Sequence, residues 1–310
     1  MSEDSSIPQK IVPVLVPMPA ERPYSYAVPE GMEVRAGSIV RVPLGPREVA
    51  GIVTGGSTDS VDARKLRPIS QLFECPPVDE GMMRFMRWAA DYTISPPGMV
   101  ARMVLRVPAA FDPEPPVPGL RFCGREPERM TGARARVLEL AEDGMAWTRT
   151  GLAHAAGVSA SVVDGLVAQG VFEPVMIPPR AVVAAPDADY AKAVLSGDQT
   201  EAAAKLDDAV ARGGFSVSLL DGVTGSGKTE VYFEAVARAI EQGRQVLILL
   251  PEIALTQQFL DRFHDRFGSK PAEWHSDLAP KTRERVWRQV MEGQVRVVAG
   301  ARSALFLPFP

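Results

Sequence analysis

The residues best placed to do chemistry form a glycine-rich stretch in the last third of the chain. Positions 222–229 read Gly-Val-Thr-Gly-Ser-Gly-Lys-Thr, a complete G-x-x-x-x-G-K-[ST] phosphate loop. Glycines let the backbone turn tightly and aim its N–H groups at phosphate oxygens, and a following helix adds the positive end of its dipole. We therefore predict that this loop binds a nucleotide such as ATP.

Each residue type in the loop has an expected role. Lys228 should reach the β- and γ-phosphates, and the Thr229 hydroxyl should ligate Mg²⁺, so these two are the predicted catalytic residues. All eight residues are expected to contact the nucleotide: Gly222, Val223, Thr224, Gly225, Ser226, Gly227, Lys228 and Thr229. The alternative is a Gly/Ser-rich turn that matches by chance. It is disfavoured because the apolar run Phe215–Leu220 predicts a strand before the loop and Glu230–Gln242 predicts a helix after it.

Hydrolysis needs a second element, an apolar strand ending in Asp or Asp-Glu that holds Mg²⁺ and places the attacking water. The acidic residues after Thr229 fall instead in predicted helices and loops: Glu252, Asp261, Asp265, Glu273, Asp277, Glu284 and Glu292. The chain therefore reads as a nucleotide-binding lobe without its hydrolytic half. We expect the 310-residue chain alone to be inactive as an ATPase.

Strands and helices alternate around the loop in residues 181–310. The predicted strands beyond the loop are 245–250 and 295–299, and the predicted helices are 230–242, 255–267 and 280–292. Such alternation builds a parallel sheet covered on both faces, and the wholly apolar run Val246–Leu250 is typical of its strands. This part is predicted to be an α/β, RecA-like P-loop lobe.

Residues 1–111 predict a small β-rich domain. Four short alternating runs are separated by Pro and Gly turn signals, at 11–16, 24–28, 37–42 and 49–53. Met82–Tyr92 shows helical spacing, and Trp88 on it is expected to lie in the core. Four prolines within Phe111–Pro118 predict a linker.

Within residues 112–180, the segment 148–173 shows a helix, a turn at Gly157, a second helix and a short strand, which predicts a winged-helix domain over 112–180. A base-reading helix normally presents Arg, Lys, Asn or Gln. The second helix, 159–170, has no basic residue, carries Asp164 and offers Gln169 at its far end. A spacer or docking role is favoured, with base reading as the alternative.

Charge and cysteine content restrict the class of protein. A net charge of −4 and a pI near 5.6 do not supply the broad positive field of an indiscriminate nucleic-acid binder, so any such site must be local. Cys75 and Cys123 have no metal-like spacing and are interpreted as inert packing residues of a protein in a reducing cytosol. No secretory or membrane-length apolar run is seen, so a cytoplasmic protein with no membrane partner is expected.

Four segments, taken in order, resemble the motifs of a known family, the bacterial primosomal helicases of replication restart (PriA family, superfamily 2). They are Asp221–Tyr232, Pro251–Thr256, His275-Ser276 and Gly300–Phe306. The likeness covers nearly the whole chain. It implies a multidomain protein with a β-rich DNA-binding domain, a winged-helix domain, and a first helicase lobe truncated before its Walker B strand.

The resemblance implies an ATP-dependent 3′-to-5′ DNA helicase that recognises stalled or abandoned forks and initiates primosome assembly. The implied cofactors are ATP and Mg²⁺. Zinc belongs to the family, but the ligands of its zinc module are absent from this chain. The implied partners are forked and single-stranded DNA, the 3′ end of the leading strand, other primosome proteins and single-stranded-DNA-binding protein. The alternative reading is a non-hydrolytic DNA-fork binding module. An unrelated P-loop kinase or transporter ATPase would leave the β-rich domain unexplained.

Further site residues come from the resemblance alone. It assigns Gln199 to adenine recognition, although a helix start capped by Ser196 and Asp198 explains this glutamine almost as well. It also assigns contacts with the DNA backbone, to Thr256, Arg302 and Ser303. Relatives carry Thr at the position of Ala301, which removes one hydroxyl donor here.

The family's first domain binds the 3′ end of a nascent strand, and five residues align with its pocket: Tyr24, Ser25, Tyr26, Gly45 and Arg67. An aromatic ring can stack a base, and glycine lets the backbone approach a sugar. Arg64, Lys65 and Arg67 make a local basic spot suited to phosphate. Taken without the family, the two tyrosines read as core residues of a strand. Relatives usually carry Asp in place of Ser25, which weakens the implied grip on a 3′-hydroxyl.

Overall fold

A computed structural model describes residues 10–56, 66–251 and 256–310. The chain forms two compact units. The larger combines Met1–Pro113 with Ala181–Pro310, and the smaller is Glu114–Arg180.

The N-terminal part of the larger unit is a six-stranded sheet. Its strands are β1 (Ile11–Leu15), β2 (Tyr24–Ala27), β3 (Ile39–Leu44), β4 (Arg47–Val53), β5 (Arg67–Pro68) and β6 (Gln71–Leu72), in the order β5-β2-β1-β4-β3-β6. Pairing is antiparallel except between β2 and β5. The hairpin β3–β4 turns at Gly45, whose φ of 59° suits a residue without a side chain. The four predicted strands and the β-rich character of this part are confirmed.

Two helices follow the sheet and bring the chain into a core. Helix α1 (Glu80–Thr93) is capped by Asp79, whose carboxylate accepts a hydrogen bond from the Gly81 N–H at 2.5 Å. Helix α2 (Pro97–Val104) begins at a proline, which is preorganised for the first helical turn. The 3₁₀ helix Pro108–Ala110 then leads to Phe111.

The predicted linker, 111–118, contains the boundary between the two units, which falls after Pro113, but its first residue, Phe111, belongs to the core of the larger unit. The ring is fully buried and contacts Phe73, with ring centroids 5.2 Å apart, and Trp287, at 5.1 Å. A phenylalanine ring buries enough apolar area to hold its segment in place despite the prolines that follow.

The C-terminal part of the larger unit alternates helices with a three-stranded parallel sheet. Its helices are α6 (Gly197–Arg212), α7 (Lys228–Glu241), α8 (Gln257–Phe267) and α9 (Pro280–Met291), and its strands are β9 (Val246–Leu249), β10 (Ala272–Trp274) and β11 (Val297–Gly300). The strand order is β10-β11-β9. The predicted helices and strands beyond the phosphate loop are confirmed to within two residues. One cluster of apolar side chains joins α7, α8 and the sheet, including Phe233, Phe263 and Val297.

The strand predicted at Phe215–Leu220 is wrong. The segment has no assigned strand, and Phe215 and Leu219 are 95% and 92% exposed. A strand forms only when a neighbouring strand takes its backbone hydrogen bonds, and within the described residues β9 pairs on one side, with β11. The side chains of this apolar run are typical of a strand, but among the described residues no strand pairs with its backbone.

The N-terminal and C-terminal parts of the larger unit share one hydrophobic core. Trp287 of α9 is buried, and its indole N–H donates to the carbonyl oxygen of Val104 at 3.1 Å. Its neighbour Arg288 donates to the carbonyl oxygen of Phe111 at 2.8 Å and to that of Glu74 at 2.6 Å. Residues more than 170 positions apart in sequence are thereby fixed together.

The smaller unit has its own core. Its elements are β7 (Val117–Phe122), α3 (Gly132–Ala141), α4 (Arg149–Ala155), α5 (Ala160–Ala168) and β8 (Phe172–Ile177), with β7 and β8 antiparallel. Gln169, the potential base-reading residue, instead accepts a hydrogen bond from the Glu128 N–H at 3.1 Å, and Asp164 pairs with Arg149 at 2.7 Å. In the described parts of the chain no single helix is long and apolar enough to cross a membrane. The pair α4 and α5 meets that test jointly, by length and composition, but is bent by 119°.

Candidate nucleotide and DNA sites

The phosphate loop folds into the turn that its glycines predict. Gly225 and Gly227 have φ values of 82° and 81°, and helix α7 begins directly after them at Lys228. The N-cap residue is Gly227, which has no side chain to cap the helix. An anion can therefore bind backbone N–H groups of the first turn.

Of the two side chains with predicted catalytic roles, Lys228 bonds back to the loop itself. The Lys228 ammonium donates to the carbonyl oxygens of Gly222 and Val223, the latter at 3.0 Å. Burial raises the pKa of the Tyr232 phenol, and the side chain of Thr229 partly offsets the increase. To engage a phosphate, the Lys228 ammonium must leave the two carbonyl oxygens.

Gln199 lies against the loop and also caps α6. Its carboxamide oxygen accepts from the Ser196 N–H at 2.8 Å, while the Ser196 hydroxyl accepts from the Gln199 N–H, a complete capping box. Its carboxamide nitrogen donates to the Ser226 carbonyl at 2.9 Å. The helix-start interpretation is confirmed. These two bonds use one N–H and one oxygen lone pair of the carboxamide. The second N–H and the second lone pair are the donor and acceptor that adenine recognition requires.

Ion pairs between α7 and α8 support the loop, and sequence reasoning missed them. Glu230 pairs with Arg262. Burial raises the pKa of the carboxyl, but the hydrogen bond and charge of Arg262, together with the carboxyl's own backbone N–H, outweigh burial, so the pKa of Glu230 lies below its usual value. Arg266 is buried, pairs with Glu234 at 3.1 Å and donates to the Ala188 carbonyl at 2.7 Å. The two residues of each pair lie 32 positions apart, so no local sequence pattern predicts that they meet. Glu230 and Arg262 also line a cleft of about 300 Å³.

The residues present fit a nucleotide with its magnesium. A hydroxyl and an ammonium stand at an uncapped helix start, which matches the chemistry of a phosphate site. Among the described residues, no group of three His, Cys, Asp or Glu side chains is placed to hold a metal ion by itself. The metal would therefore be held through Thr229 and the nucleotide.

The five residues predicted to hold a DNA end converge at one edge of the N-terminal sheet. Tyr26 on β2 is in register with Arg67 on β5. The Arg67 guanidinium donates to the Gly45 carbonyl at 3.0 Å, and Ser25 lies between the two tyrosines on β2. Arg64 and Lys65 lie outside the described residues.

The two tyrosines of this edge differ sharply in environment. Tyr26 is 4% exposed, and its hydroxyl donates to the Pro43 carbonyl at 3.0 Å. Burial, aided by the nearby Tyr24, raises its pKa. Tyr24 is 42% exposed. The core interpretation therefore holds for Tyr26, and Tyr24 is the ring available to a ligand.

The residues predicted to touch the DNA backbone follow two neighbouring strands. Thr256 caps α8, accepting from the Phe259 N–H at 3.4 Å, and comes after β9. Arg302 and Ser303 begin the 3₁₀ helix Arg302–Phe306 directly after β11. Because β9 and β11 are parallel, both groups follow the carboxyl ends of the strands, which is the side of the sheet where ligands of α/β proteins bind. Glu252–Leu255, within the second motif, lie outside the described residues.

Comparison with known proteins gives two family matches. A "3'DNA-binding domain (3'BD)" model matches residues 13–106, and a "DEAD/DEAH box helicase" model matches residues 197–309. Similar proteins named "Replication restart protein PriA" align with almost the whole chain. The one from Haemophilus influenzae is 32% identical over 319 residues, and the one from Rickettsia felis is 29% identical over 304 residues. Each alignment covers 97% of this chain.

The chain is similar to PriA over almost its whole length. It spans 43% of the length of the Haemophilus protein and 36% of the Rickettsia protein. The Synechocystis PriA, 29% identical over 383 residues, is spanned to 46%. The match to PriA places the six-stranded sheet with α1 and α2 in a 3′-DNA-binding region, and the α/β part in a helicase region.

Proposed function

We propose that this chain supplies the DNA-end-binding and nucleotide-binding parts of an ATP-dependent 3′-to-5′ DNA helicase that restarts replication at stalled or abandoned forks. The observation that carries the proposal is the phosphate loop at an uncapped helix start, in a chain similar to PriA over 97% of its length. The other part of the proposed activity is the binding of a DNA end, by the edge of the N-terminal sheet that carries Tyr24, Tyr26 and Arg67.

At the nucleotide site, the residues would act as the motif predicts. The N–H groups of loop 222–229 bind phosphate oxygens, and Lys228 leaves the Gly222 and Val223 carbonyls to reach the β- and γ-phosphates. The Thr229 hydroxyl ligates Mg²⁺, which neutralises phosphate charge. Gln199, which already contacts the loop, forms hydrogen bonds with adenine through its second carboxamide N–H and its second oxygen lone pair.

At the DNA-end site, the exposed Tyr24 ring stacks the terminal base, and the Ser25 hydroxyl bonds the 3′-hydroxyl. The Gly45 turn lets the sugar approach, and Arg67 binds a phosphate. Tyr26 acts by holding β2 and the hairpin together through Pro43. Thr256, Arg302 and Ser303 contact the backbone of the strand in the helicase region.

We propose that the 310-residue chain by itself has no DNA-stimulated ATPase activity. Strands β9 and β11 lead into Leu250-Pro251 and Ala301-Arg302 rather than into acidic residues. Turnover therefore needs carboxylates from elsewhere to place water and metal. The alternative, a non-hydrolytic DNA-fork binding module, is distinguished by an ATPase assay on the full-length product of the gene, because a helicase hydrolyses ATP there and a binding module does not.

The smaller unit is proposed to be a winged-helix spacer or docking module. The internal use of Gln169 and the Arg149–Asp164 pair support this role over base reading. The proposed partners are forked and single-stranded DNA, with primosome proteins and single-stranded-DNA-binding protein as candidates for the docking face.

A DNA-binding titration tests the DNA-end site. We expect the chain to bind forks and tailed strands with a free 3′-hydroxyl more tightly than the same DNA with a 3′-phosphate. Tyr24→Ala and Arg67→Ala should weaken binding and reduce that preference. Equal affinity for the two ends would remove the proposed role of this pocket.

A further inference from the structure

A small cleft beside the phosphate loop contains polar side chains to which the proposed function gives no role. It encloses about 300 Å³, at the lower end of the usual range for ligand pockets. Its lining includes Glu230 and Phe233 of α7, Arg262 of α8 and the segment 191–193. We call it the α7–α8 cleft. Because Glu230 directly follows Thr229, the cleft adjoins the loop that is proposed to hold the phosphates.

Hydrogen bonds and ring contacts fix the walls of the α7–α8 cleft. The Ala191 N–H donates to the carbonyl oxygen of Arg266 at 3.3 Å, and the Arg266 guanidinium donates to the Ala188 carbonyl at 2.7 Å. Phe233 is buried, and its ring centroid lies 5.6 Å from that of Phe263 on α8. A cleft with fixed walls loses little conformational freedom when a ligand enters it.

Two hydrogen-bond acceptors approach the last glycine of the phosphate loop. A Cβ added at Gly227 would meet the carboxamide of Gln199 and would lie 3.5 Å from Oε2 of Glu230. Oε1 of Glu230 accepts a hydrogen bond from Arg262, so Oε2 is the oxygen beside the loop. The carboxamide oxygen of Gln199 has a second lone pair beyond the one that the Ser196 N–H uses. One ligand atom next to the loop can therefore meet both acceptors.

An exocyclic amino group satisfies two acceptors at once, because it carries two N–H donors. Adenine has such a group at position 6 of the purine, whereas guanine and hypoxanthine carry a carbonyl oxygen there. A carbonyl oxygen between two acceptors meets only lone pairs, and the unpaired groups cost binding free energy. The lowered pKa of Glu230 keeps its carboxylate ionised, so both of its oxygens act as acceptors. The arrangement favours adenine over 6-oxo purines.

We propose that Glu230 selects adenine at the nucleotide site by accepting a hydrogen bond from the 6-amino group of the base. Gln199 accepts the second N–H of the same group. Arg262 is a positioning residue, because it holds Oε1 of Glu230 and thereby keeps Oε2 turned towards the base. This proposal rests on the proposed function, since it names the residue that reads the base of the nucleotide bound by the same loop.

The test compares ATP with inosine triphosphate, which carries a carbonyl oxygen in place of the 6-amino group. Isothermal titration calorimetry of the whole 310-residue chain with each Mg²⁺-nucleotide gives two dissociation constants. We expect wild type to bind ATP about 10- to 100-fold more tightly, the range for a hydrogen bond to a charged group. In Glu230→Gln, Arg262 retains the amide oxygen, so the amide NH₂ replaces Oε2 and faces the donors of adenine. The ratio of the two constants should then fall to about one or below.

A matched control is Glu234→Gln. Glu234 lies one helical turn further along α7, pairs with Arg266 at 3.1 Å and lines a different cavity. This variant should keep the wild-type ratio.

The positioning role of Arg262 has its own measurement. In an Arg262→Met background the amide of Glu230→Gln is free to turn its oxygen towards the base. Adding Glu230→Gln should therefore change the ratio less than it does in the wild-type background. An equal change in both backgrounds would remove the positioning role. Circular dichroism melting confirms that each variant is folded.

Three results would overturn the proposal, and they are distinguishable from one another. If Glu230→Gln keeps the wild-type ratio, Glu230 does not read the base, and nucleotide binding by the loop stands. If wild type binds inosine triphosphate as tightly as ATP, the site does not read the 6-amino group, and nucleotide binding again stands. If wild type binds neither nucleotide, the proposed nucleotide-binding function itself fails, and the proposal for Glu230 fails with it.

Discussion

Alanine substitutions at two glycines of the phosphate loop measure how much the contact between Gln199 and the loop stabilises the protein. Gly225 and Gly227 have nearly the same positive φ, 82° and 81°. A Cβ added at Gly225 meets nothing within 4 Å, whereas one added at Gly227 meets the carboxamide nitrogen of Gln199. Gly225→Ala therefore reports backbone strain alone, and Gly227→Ala reports the same strain plus displacement of Gln199.

The expected magnitudes follow from this geometry. An alanine in the left-handed region costs about 1–2 kcal/mol, which both variants share. The end of a glutamine side chain can swing aside, so Gly227→Ala additionally loses the hydrogen bond between Gln199 and the Ser226 carbonyl. That loss is about 0.5–1 kcal/mol, at the lower end of the usual range, because the bond is only partly buried and water can replace the lost donor. Gly227→Ala should thus be the less stable variant by this difference.

The assay is urea unfolding followed by tryptophan fluorescence, since Trp274 and Trp287 are buried in the unit that carries the loop. The pair is repeated in a Gln199→Ala background, where the difference between the two glycine variants should vanish. Equal losses of unfolding free energy in the wild-type background, or a difference that survives removal of Gln199, would refute the reasoning.

Two further predictions concern the core of the larger unit. Trp287→Phe should lower the free energy of unfolding by about 1–3 kcal/mol, because the Val104 carbonyl loses its buried donor; urea unfolding checks this, and an unchanged midpoint would contradict a core shared across the chain. Burial raises the pKa of the Cys75 thiol to about 11, against the opposing charge of Arg288. The folded state therefore holds this proton more tightly than the unfolded state, stability should fall as pH rises above about 9, and at pH 8 iodoacetamide should label the exposed Cys123 well before Cys75. Equal labelling rates measured by mass spectrometry would count against that burial.

The sequence predicted those elements whose signals are local. Apolar alternation marks β1 to β4, and the wholly apolar run 246–250 marks β9, because periodicity is set by the strand itself. Helix α7 begins within two residues of its predicted start, since the glycines before Lys228 determine where the turn ends. The phosphate loop was found for the same reason.

Burial was harder to predict because it depends on distant partners. Phe111 resembled part of a proline-rich linker but lies against Phe73 and Trp287, the latter 176 positions away. Trp88 was expected to lie in the core, but that expectation is wrong, because Trp88 is 56% exposed on α1. Phe215–Leu220 has strand-like side chains, yet a strand also needs a neighbour to take its hydrogen bonds, and no local pattern reports that neighbour.

The DNA-end site shows what the chain's own spacing could not supply. Tyr26, Gly45 and Arg67 are separated by about twenty residues each, and the register of β2 with β5 brings them together. Family resemblance named them, and the sheet gives a physical reason for their convergence. Their role in binding DNA stays a prediction.

Isothermal titration calorimetry with MgATP tests most directly whether loop 222–229 holds a triphosphate. The account predicts saturable binding of one nucleotide per chain, lost in Lys228→Ala and retained in Tyr190→Ala. The same heat from wild type and Lys228→Ala, or no binding by wild type at millimolar MgATP, would contradict it.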